Sequence, residues 1–317
     1  MMKVAVCGAW HVHAVDYTKK AVEKEGVAVL GFYEENPALR EAFHQKFPEL
    51  YVFETFEELL ASDADSVICC TSSDTHADYM VRIAEAKKDI FTEKVLALTT
   101  EGCLRVKEAV EKNGVKFVIS LFQKSRGDIQ AIKALADSGE LGKINYVRFR
   151  NCHGGSICGW LPEHFFNQKE CGGGAMIDLG AHGMYLIDWF LGLPSQYSSA
   201  FTTWDNNPKN TDNLEDNAVT VMKYADGAIA LNETGFVSYS DPATLVVSGD
   251  KGSAHLIPGG VIKITEGTNK QPVTVDVPES SPLPIDAFLS GQDIEGCGMT
   301  EALHLTEMME GAYKNIL

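Results

Sequence analysis

Along the first 120 residues, short apolar runs alternate with longer amphipathic stretches. Residues 4–7, 27–33, 66–70, 90–92 and 116–120 are the apolar runs, several of them rich in β-branched side chains. Residues 14–25, 37–47, 75–87 and 99–113 lie between them and mix polar with apolar positions. In the last of these, Leu104, Val106, Ala109 and Val110 recur at roughly helical spacing, and Asn113-Gly114 supplies a stop. Strands that alternate with helices, without hairpin-length connections, predict βαβ units and a parallel sheet covered on both faces. A sheet of that kind takes its ligands at the carboxyl ends of its strands.

After about residue 140 the pattern changes. Residues 143–150, 218–224, 228–234, 244–248 and 261–265 read as longer strands, with turn signals at Ala225-Asp226-Gly227 and Asp250-Lys251-Gly252. This pattern predicts an antiparallel meander in an α+β domain, interrupted by helices over about 173–191 and 300–315. Pro278, Pro282 and Pro284 mark a connector before the last helix. The chain shows no internal repeat and no low-complexity segment.

Length and charge narrow the class. At 317 residues the chain is long enough for two domains. Lys and Arg total 27 against 44 Asp and Glu, a net charge of −17, and such a surface repels nucleic-acid backbones and anionic lipid. No run approaches the roughly 20 apolar residues of a membrane span. The opening Met1-Met2-Lys3-Val4-Ala5-Val6-Cys7 reads as a first strand rather than a leader, since it lacks a small-residue cleavage site. Eight cysteines without paired spacing, two of them adjacent at Cys69-Cys70, suit free thiols in a reducing cytoplasm. The expectation is a cytoplasmic protein with no nucleic-acid or membrane partner.

The loop after the first strand reads Gly8-Ala9-Trp10-His11-Val12-His13-Ala14. A dinucleotide fingerprint would place glycines at 8, 10 and 13, and only Gly8 is present. Trp10 puts an indole where phosphates approach, and His13 replaces the small packing residue. At the end of the second strand, Glu34 stands where a carboxylate grips a ribose diol, 26 positions after Gly8 against a usual distance of about 20. If a nicotinamide cofactor binds, Glu34 favours NAD over NADP, because it repels a 2′-phosphate; the alternative is that Glu34 and Glu35 simply solvate a helix start. The pair His11 and His13 also resembles the first ligands of a metal-dependent hydrolase barrel. The antiparallel second half supplies no such barrel, so packing or cofactor-loop roles are favoured and no metal is expected.

Two further segments carry candidate chemistry. Glu93-Lys94 ends the strand 90–92, where a lysine at the carboxyl edge can hold a substrate oxygen or simply be solvated. Gly172-Gly173-Gly174 opens an apolar helix on which Asp178 and His182 fall four apart and share one face. Polar groups aligned on such a helix need partners or a cleft, and a histidine titrating near neutrality suits the transfer of a hydroxyl proton.

Glu93-Lys94 followed by Gly-Gly-Gly-x-x-x-Asp178-x-Gly-x-His182 resembles the glucose–fructose oxidoreductase / inositol dehydrogenase (Gfo/Idh/MocA) family. Gln123-Lys124, the segment Ser138-Gly139-Glu140-Leu141-Gly142 and the terminal helix extend the resemblance over nearly the whole chain. Val95 stands where the family has proline, and Lys124 where it has arginine.

The resemblance implies an α/β Rossmann domain over 1–121. It implies a substrate-binding and oligomerisation domain over 122–317 with a large open antiparallel sheet, whose terminal helix, 300–316, packs back on the first domain. It further implies hydride exchange between NAD and a carbinol or carbonyl of a sugar, inositol or related polyol, and a homo-oligomer (dimer or tetramer) built through the sheet. Lys94 would then sit between nicotinamide and substrate, Asp178 would orient the substrate, and His182 would act as acid and base. Gly8, Trp10, His11, His13, Glu34, Thr71, Ser72, His76, Glu93, Lys94 and Gln123 are the expected cofactor residues. Asn151, His153 and His164, on the polar and aromatic segment that runs from 151 to 169 with Asn167, are expected beside the substrate; the alternative is an ordinary surface loop. The competing function is a non-catalytic ligand- or NAD-sensing protein of the same fold, which the depleted glycine fingerprint favours and the joint presence of Lys94, Asp178 and His182 opposes.

Overall fold

A computed structural model describes residues 1–239 and 243–317. The chain divides into two compact units, Met1–Ser120 with Pro282–Thr306, and Leu121–Ser281 with Glu307–Leu317.

The first unit alternates as the pattern predicts: β1 (Met2–Cys7), α1 (Ala14–Glu23), β2 (Val27–Tyr33), α2 (Pro37–Lys46), β3 (Tyr51–Val52), α3 (Phe56–Ala61), β4 (Ser66–Cys69), α4 (His76–Glu85), β5 (Asp89–Thr92), α5 (Thr100–Asn113) and β6 (Phe117–Ile119). The order β3-β2-β1-β4-β5-β6 is all parallel and open, with the connections reversing direction between β1 and β4. An open sheet of this kind excludes the hydrolase barrel that His11 and His13 suggested. The helix stops follow local chemistry. Thr99 caps α5 by accepting from the Gly102 N–H, and Gly114, at φ 65°, ends it in the left-handed conformation that glycine adopts at little cost. Val4, Ala5, Val6 and Cys7 of β1 are fully buried, as a central parallel strand requires. The short β3 and α3 lie in a stretch that the hydrophobic pattern left unassigned.

The second unit holds α6 (Gly127–Asp137), β7 (Ile144–Cys152), α7 (Gln168–Cys171), a π-helical turn (Met176–Gly180), α8 (Ala181–Leu191), β8 (Gln196–Thr202), β9 (Asn217–Lys223), β10 (Ile229–Gly235), β11 (Thr244–Gly249), β12 (Gly252–Ile257), β13 (Gly260–Thr265) and β14 (Val273–Val275). Its eight-stranded sheet runs β14-β13-β12-β11-β7-β10-β9-β8. The expected antiparallel meander needs one correction, because β7 and β10 pair in parallel, from Ile229 against Tyr146 to Gly235 against Cys152. The chain leaves β7, builds α7, α8, β8 and β9, and re-enters beside β7 only at β10. That long excursion allows the parallel direction a tight hairpin forbids.

The helix expected over 173–191 is also corrected. It opens with the π-helical turn before the α-helix begins at Ala181. The proline-rich connector is partly helical, since Pro284 occupies the first turn of α9 (Pro284–Leu289), where its missing N–H costs nothing. The last helix, α10, spans Met299–Lys314. No described helix is long and apolar enough to cross a membrane, and none of the eight cysteines is in a disulfide.

Candidate functional site

In the first unit the loop after β1 turns at Gly8, where φ is 86°. A side chain there would press on the backbone nitrogen of Thr71 at 2.5 Å, so the one retained fingerprint glycine is required by the close passage of the two strand-end loops. Glu34, at the end of β2, is buried, and its two oxygens accept from the Ala9 N–H at 2.6 Å and the Asn36 N–H at 2.8 Å. Burial raises its pKa against the pull of those two donors. Each oxygen keeps a second lone pair for a further donor. Trp10, expected to meet a diphosphate, is buried, and its ring lies 6.3 Å from that of His11.

Behind β4, Thr71 is buried and Ser72 donates to Asp74 at 2.5 Å. His76 is buried and donates through Nδ1 to the Val95 carbonyl at 3.0 Å. It therefore tethers this segment to the loop that carries Glu93 and Lys94. Lys94 is buried, and the Lys94–Val95 peptide is cis.

Glu93 is fully buried, and sequence reasoning left its surroundings unread. The Tyr17 hydroxyl donates to its Oε2, and His13 Nδ1 lies 3.2 Å from the same oxygen. Tyr17 Oη is also 2.7 Å from Ser120 Oγ. Burial works against ionisation, but the charges of His11, His13 and Lys94 outweigh it and hold the carboxyl well below the usual range. The rings of His11 and His13 are 4.7 Å apart.

In the second unit two of the three glycines make room for the protein itself. A Cβ on Gly173 would meet Tyr313 Oη at 1.9 Å, and one on Gly174 would meet the Glu215 carbonyl at 2.0 Å. The Glu215 side chain caps the turn, its Oε1 accepting from the Gly174 N–H at 2.9 Å, the Met176 N–H at 3.0 Å and the Tyr313 hydroxyl at 2.6 Å. Burial raises the pKa of Glu215, while these donors lower it. Asn232, fully buried on β10, donates to the Gly180 carbonyl at 2.7 Å at the end of the π-turn. Single π-turns often mark functional sites, and this one carries Asp178, half-buried, and passes into α8 at His182.

His182 is buried, with Nδ1 2.9 Å from Tyr185 Oη. That hydroxyl accepts from the Gln123 N–H at 3.2 Å, and the Phe122 ring stands edge-on to the imidazole at 4.9 Å. The structure thus joins Gln123 to His182 through Tyr185, a residue the sequence reading passed over although it lies three positions along the same helix. Gln123 Oε1 accepts from Arg126 at 3.1 Å, and the Lys124 ammonium lies 5.3 Å from the centre of the Trp189 ring.

Asn151 pairs within the sheet opposite Thr234. His153 accepts from the Gly155 N–H at 3.0 Å, stacks on Phe236 at 5.1 Å and meets the Trp160 ring at 4.6 Å. The His164 carbonyl accepts from the Cys171 thiol at 3.1 Å, and Asn167 caps α7 through the Lys169 and Glu170 N–H groups. Leu161, Phe165 and Phe166 of this segment form a buried cluster with Ala175, Leu179 and Phe236. The segment is therefore anchored on the turn that bears Asp178.

Comparison with known proteins follows the same division. A family model described as "Oxidoreductase family, NAD-binding Rossmann fold" matches residues 2–121, and the "GFO/IDH/MocA C-terminal domain" matches residues 129–255. The inositol 2-dehydrogenase of Salmonella typhimurium (strain LT2) is 30% identical over 198 residues, 61% of this chain and 55% of that protein. The D-glucoside 3-dehydrogenase of Escherichia coli K12 is 23% identical over 285 residues, 84% of this chain and 80% of that one. The match with the first thus spans little more than half of its length. The crystal structure of GenD2 from gentamicin A biosynthesis, in complex with NAD, superposes with a TM-score of 0.80 at 22% identity, covering 99% of this chain and 93% of that one. That likeness concerns the fold. On the two matched segments taken together, the chain belongs to the Gfo/Idh/MocA family.

Proposed function

We propose that the chain is an NAD-dependent oxidoreductase that moves a hydride between nicotinamide and a carbinol or carbonyl carbon of a sugar, inositol or related polyol derivative. The observation that carries this reading is His182, buried and held by Tyr185 at 2.9 Å beside the π-turn that follows the three glycines and bears Asp178. An imidazole held in place by a neighbouring hydroxyl and titrating near neutrality can take up and return a substrate proton.

The first unit fits the cofactor by its own geometry. The Gly8 turn has no room for a side chain, and Glu34 presents a buried carboxylate at the end of β2. Gly8, Trp10 and His11 would border the diphosphate, Glu34 would accept from the adenosine ribose hydroxyls, and Thr71, Ser72, Glu93 and Lys94 would border the nicotinamide half. When bound, NAD supplies the ring carbon that accepts or returns the hydride. Within the chain, His182 takes the hydroxyl proton during oxidation and returns it during reduction, so that proton and hydride leave the same carbinol. Lys94 holds the reacting oxygen as an ammonium donor, and Asp178 fixes the substrate and the imidazole. Asn151, His153 and His164 stand toward the substrate. Glu34 favours NAD over NADP through repulsion of a 2′-phosphate. The same reading includes a homo-oligomer, dimer or tetramer, through the open face of the eight-stranded sheet, and residence in the cytoplasm.

The test is to mix the purified protein with NAD and a panel of inositols, aldoses, glucosides and acyclic polyols and follow the absorbance of reduced nicotinamide. Substrate-dependent reduction supports the reading. Binding of NAD with no reduction across the panel in either direction would favour the non-catalytic alternative.

A further inference from the structure

The cluster around Glu93 does more than a dinucleotide loop requires. One ring nitrogen of His11, one of His13 and a carboxylate oxygen of Glu93 lie within 4.8 Å of one another. The Glu93 side chain is fully buried, and its two oxygens are treated unequally. Oε2 receives both the Tyr17 hydroxyl and His13 Nδ1, whereas Oε1, equally shielded from water, has no hydrogen-bond donor. A buried carboxylate oxygen without a partner is costly, and a cation is the usual remedy.

We propose that His11, His13 and Glu93 form a binding site for a divalent transition-metal ion, with zinc the best match. Two imidazoles and one carboxylate are a borderline donor set that zinc accepts, whereas magnesium and calcium prefer oxygen alone. The 3.2 Å between His13 Nδ1 and Glu93 Oε2 is close to the edge of about 3.3 Å that two ligands span at ordinary zinc bond lengths. His11 Nδ1 accepts from the His13 N–H at 3.2 Å, which fixes the orientation of the ring beside His13. Tyr17, braced by Ser120, steadies the carboxylate from behind, as outer partners of metal ligands do. His13, with 31% of its side chain exposed, gives the ion its route in from solvent. Three protein ligands leave at least one position for water or an anionic oxygen. The site shares His11 and Glu93 with the proposed cofactor loop, but the inference does not depend on the oxidoreductase activity.

The experiment uses the full chain after treatment with a chelator. Cobalt(II) is added and its visible ligand-field bands are followed, then displaced with zinc. One ion per chain is expected, with affinity falling more than about 100-fold in His13→Ala and in Glu93→Gln, beyond the loss typical of outer-shell changes, and unchanged in His255→Ala. Thermal unfolding of each variant shows that the fold persists, and His13→Ala, at the exposed end, is the variant least tied to packing. No binding by the unaltered chain, or equal binding by His13→Ala, overturns the proposal. NADH binding is measured in parallel on the chelated chain. NADH binding without cobalt binding overturns the metal site alone, while cobalt binding without NADH binding supports the metal site and counts against the oxidoreductase reading.

Discussion

Tyr185 Oη lies 2.9 Å from His182 Nδ1 and at the same time accepts the Gln123 backbone N–H at 3.2 Å. The hydroxyl therefore ties the start of the second unit to the imidazole on α8. Tyr185→Phe would leave the Gln123 N–H without that acceptor and remove one hold on the imidazole. One lost hydrogen bond of this kind corresponds to about 1–3 kcal/mol. We expect thermal unfolding to shift down accordingly and turnover to fall about tenfold, with NADH affinity unchanged. A variant with normal turnover would show that Tyr185 only packs.

Glu215 gathers three donors on one carboxylate oxygen. Glu215→Ala strands the Gly174 and Met176 N–H groups and the Tyr313 hydroxyl in a buried setting, so unfolding should cost at least about 3 kcal/mol less than in the parent chain. Denaturant titration measures this directly. Gly174→Ala should be similarly harmful, because its Cβ would stand 2.0 Å from the Glu215 carbonyl and overpacking against backbone costs about 1–3 kcal/mol.

Glu233 on β10 accepts from Arg148 on β7 at 2.5 and 2.9 Å, and this pair, with burial opposing it, lowers the Glu233 pKa. A depressed folded-state value means that the stabilisation is fully present above the unfolded value of about 4.3 and is lost as pH falls through the folded one. Arg148 is partly exposed, so solvent screening keeps the contribution near about 1 kcal/mol or less. Glu233→Gln should flatten the acid limb of stability against pH and leave the neutral region lower by about that amount. An unchanged acid limb would remove the pair from the acid response.

Much of this architecture is legible in the chain. The apolar run at β2 and the Asn113-Gly114 stop coincide with the observed boundaries, and the run 4–7 is the fully buried part of β1, because burial on both faces of a parallel sheet writes itself as continuous hydrophobicity. β8, reading Gln-Tyr-Ser-Ser-Ala-Phe-Thr, is too polar to register, and β3 is only two residues long. The parallel pairing of β7 with β10 is invisible to periodicity, which reports faces but not the direction of a partner. At the site, Asp178 and His182 stand out as polar groups on an apolar helix. Their supports do not, since Glu215 lies 41 positions from Gly174 and Tyr313 lies 98 from Glu215. Tyr185 was within reach as the third residue after His182. The π-turn was not, because nothing in residue type distinguishes a five-residue closure from the ordinary helical one.

Glu34 yields a binding prediction. With its carboxylate at the end of β2 and its oxygens oriented by Ala9 and Asn36, NADH should bind more tightly than NADPH in an emission titration of the chelated protein. Equal or stronger NADPH binding would show that Glu34 serves only to brace the loop.

In the proposed reaction His182 moves the proton of the substrate hydroxyl while hydride moves at the carbon that bears it. The most direct test compares the parent chain with His182→Ala, measuring NADH affinity and substrate-dependent turnover on the same samples. NADH affinity should be unchanged and turnover reduced by about 10²–10⁴-fold, the usual worth of a positioned acid–base group. Undiminished turnover in His182→Ala would contradict it.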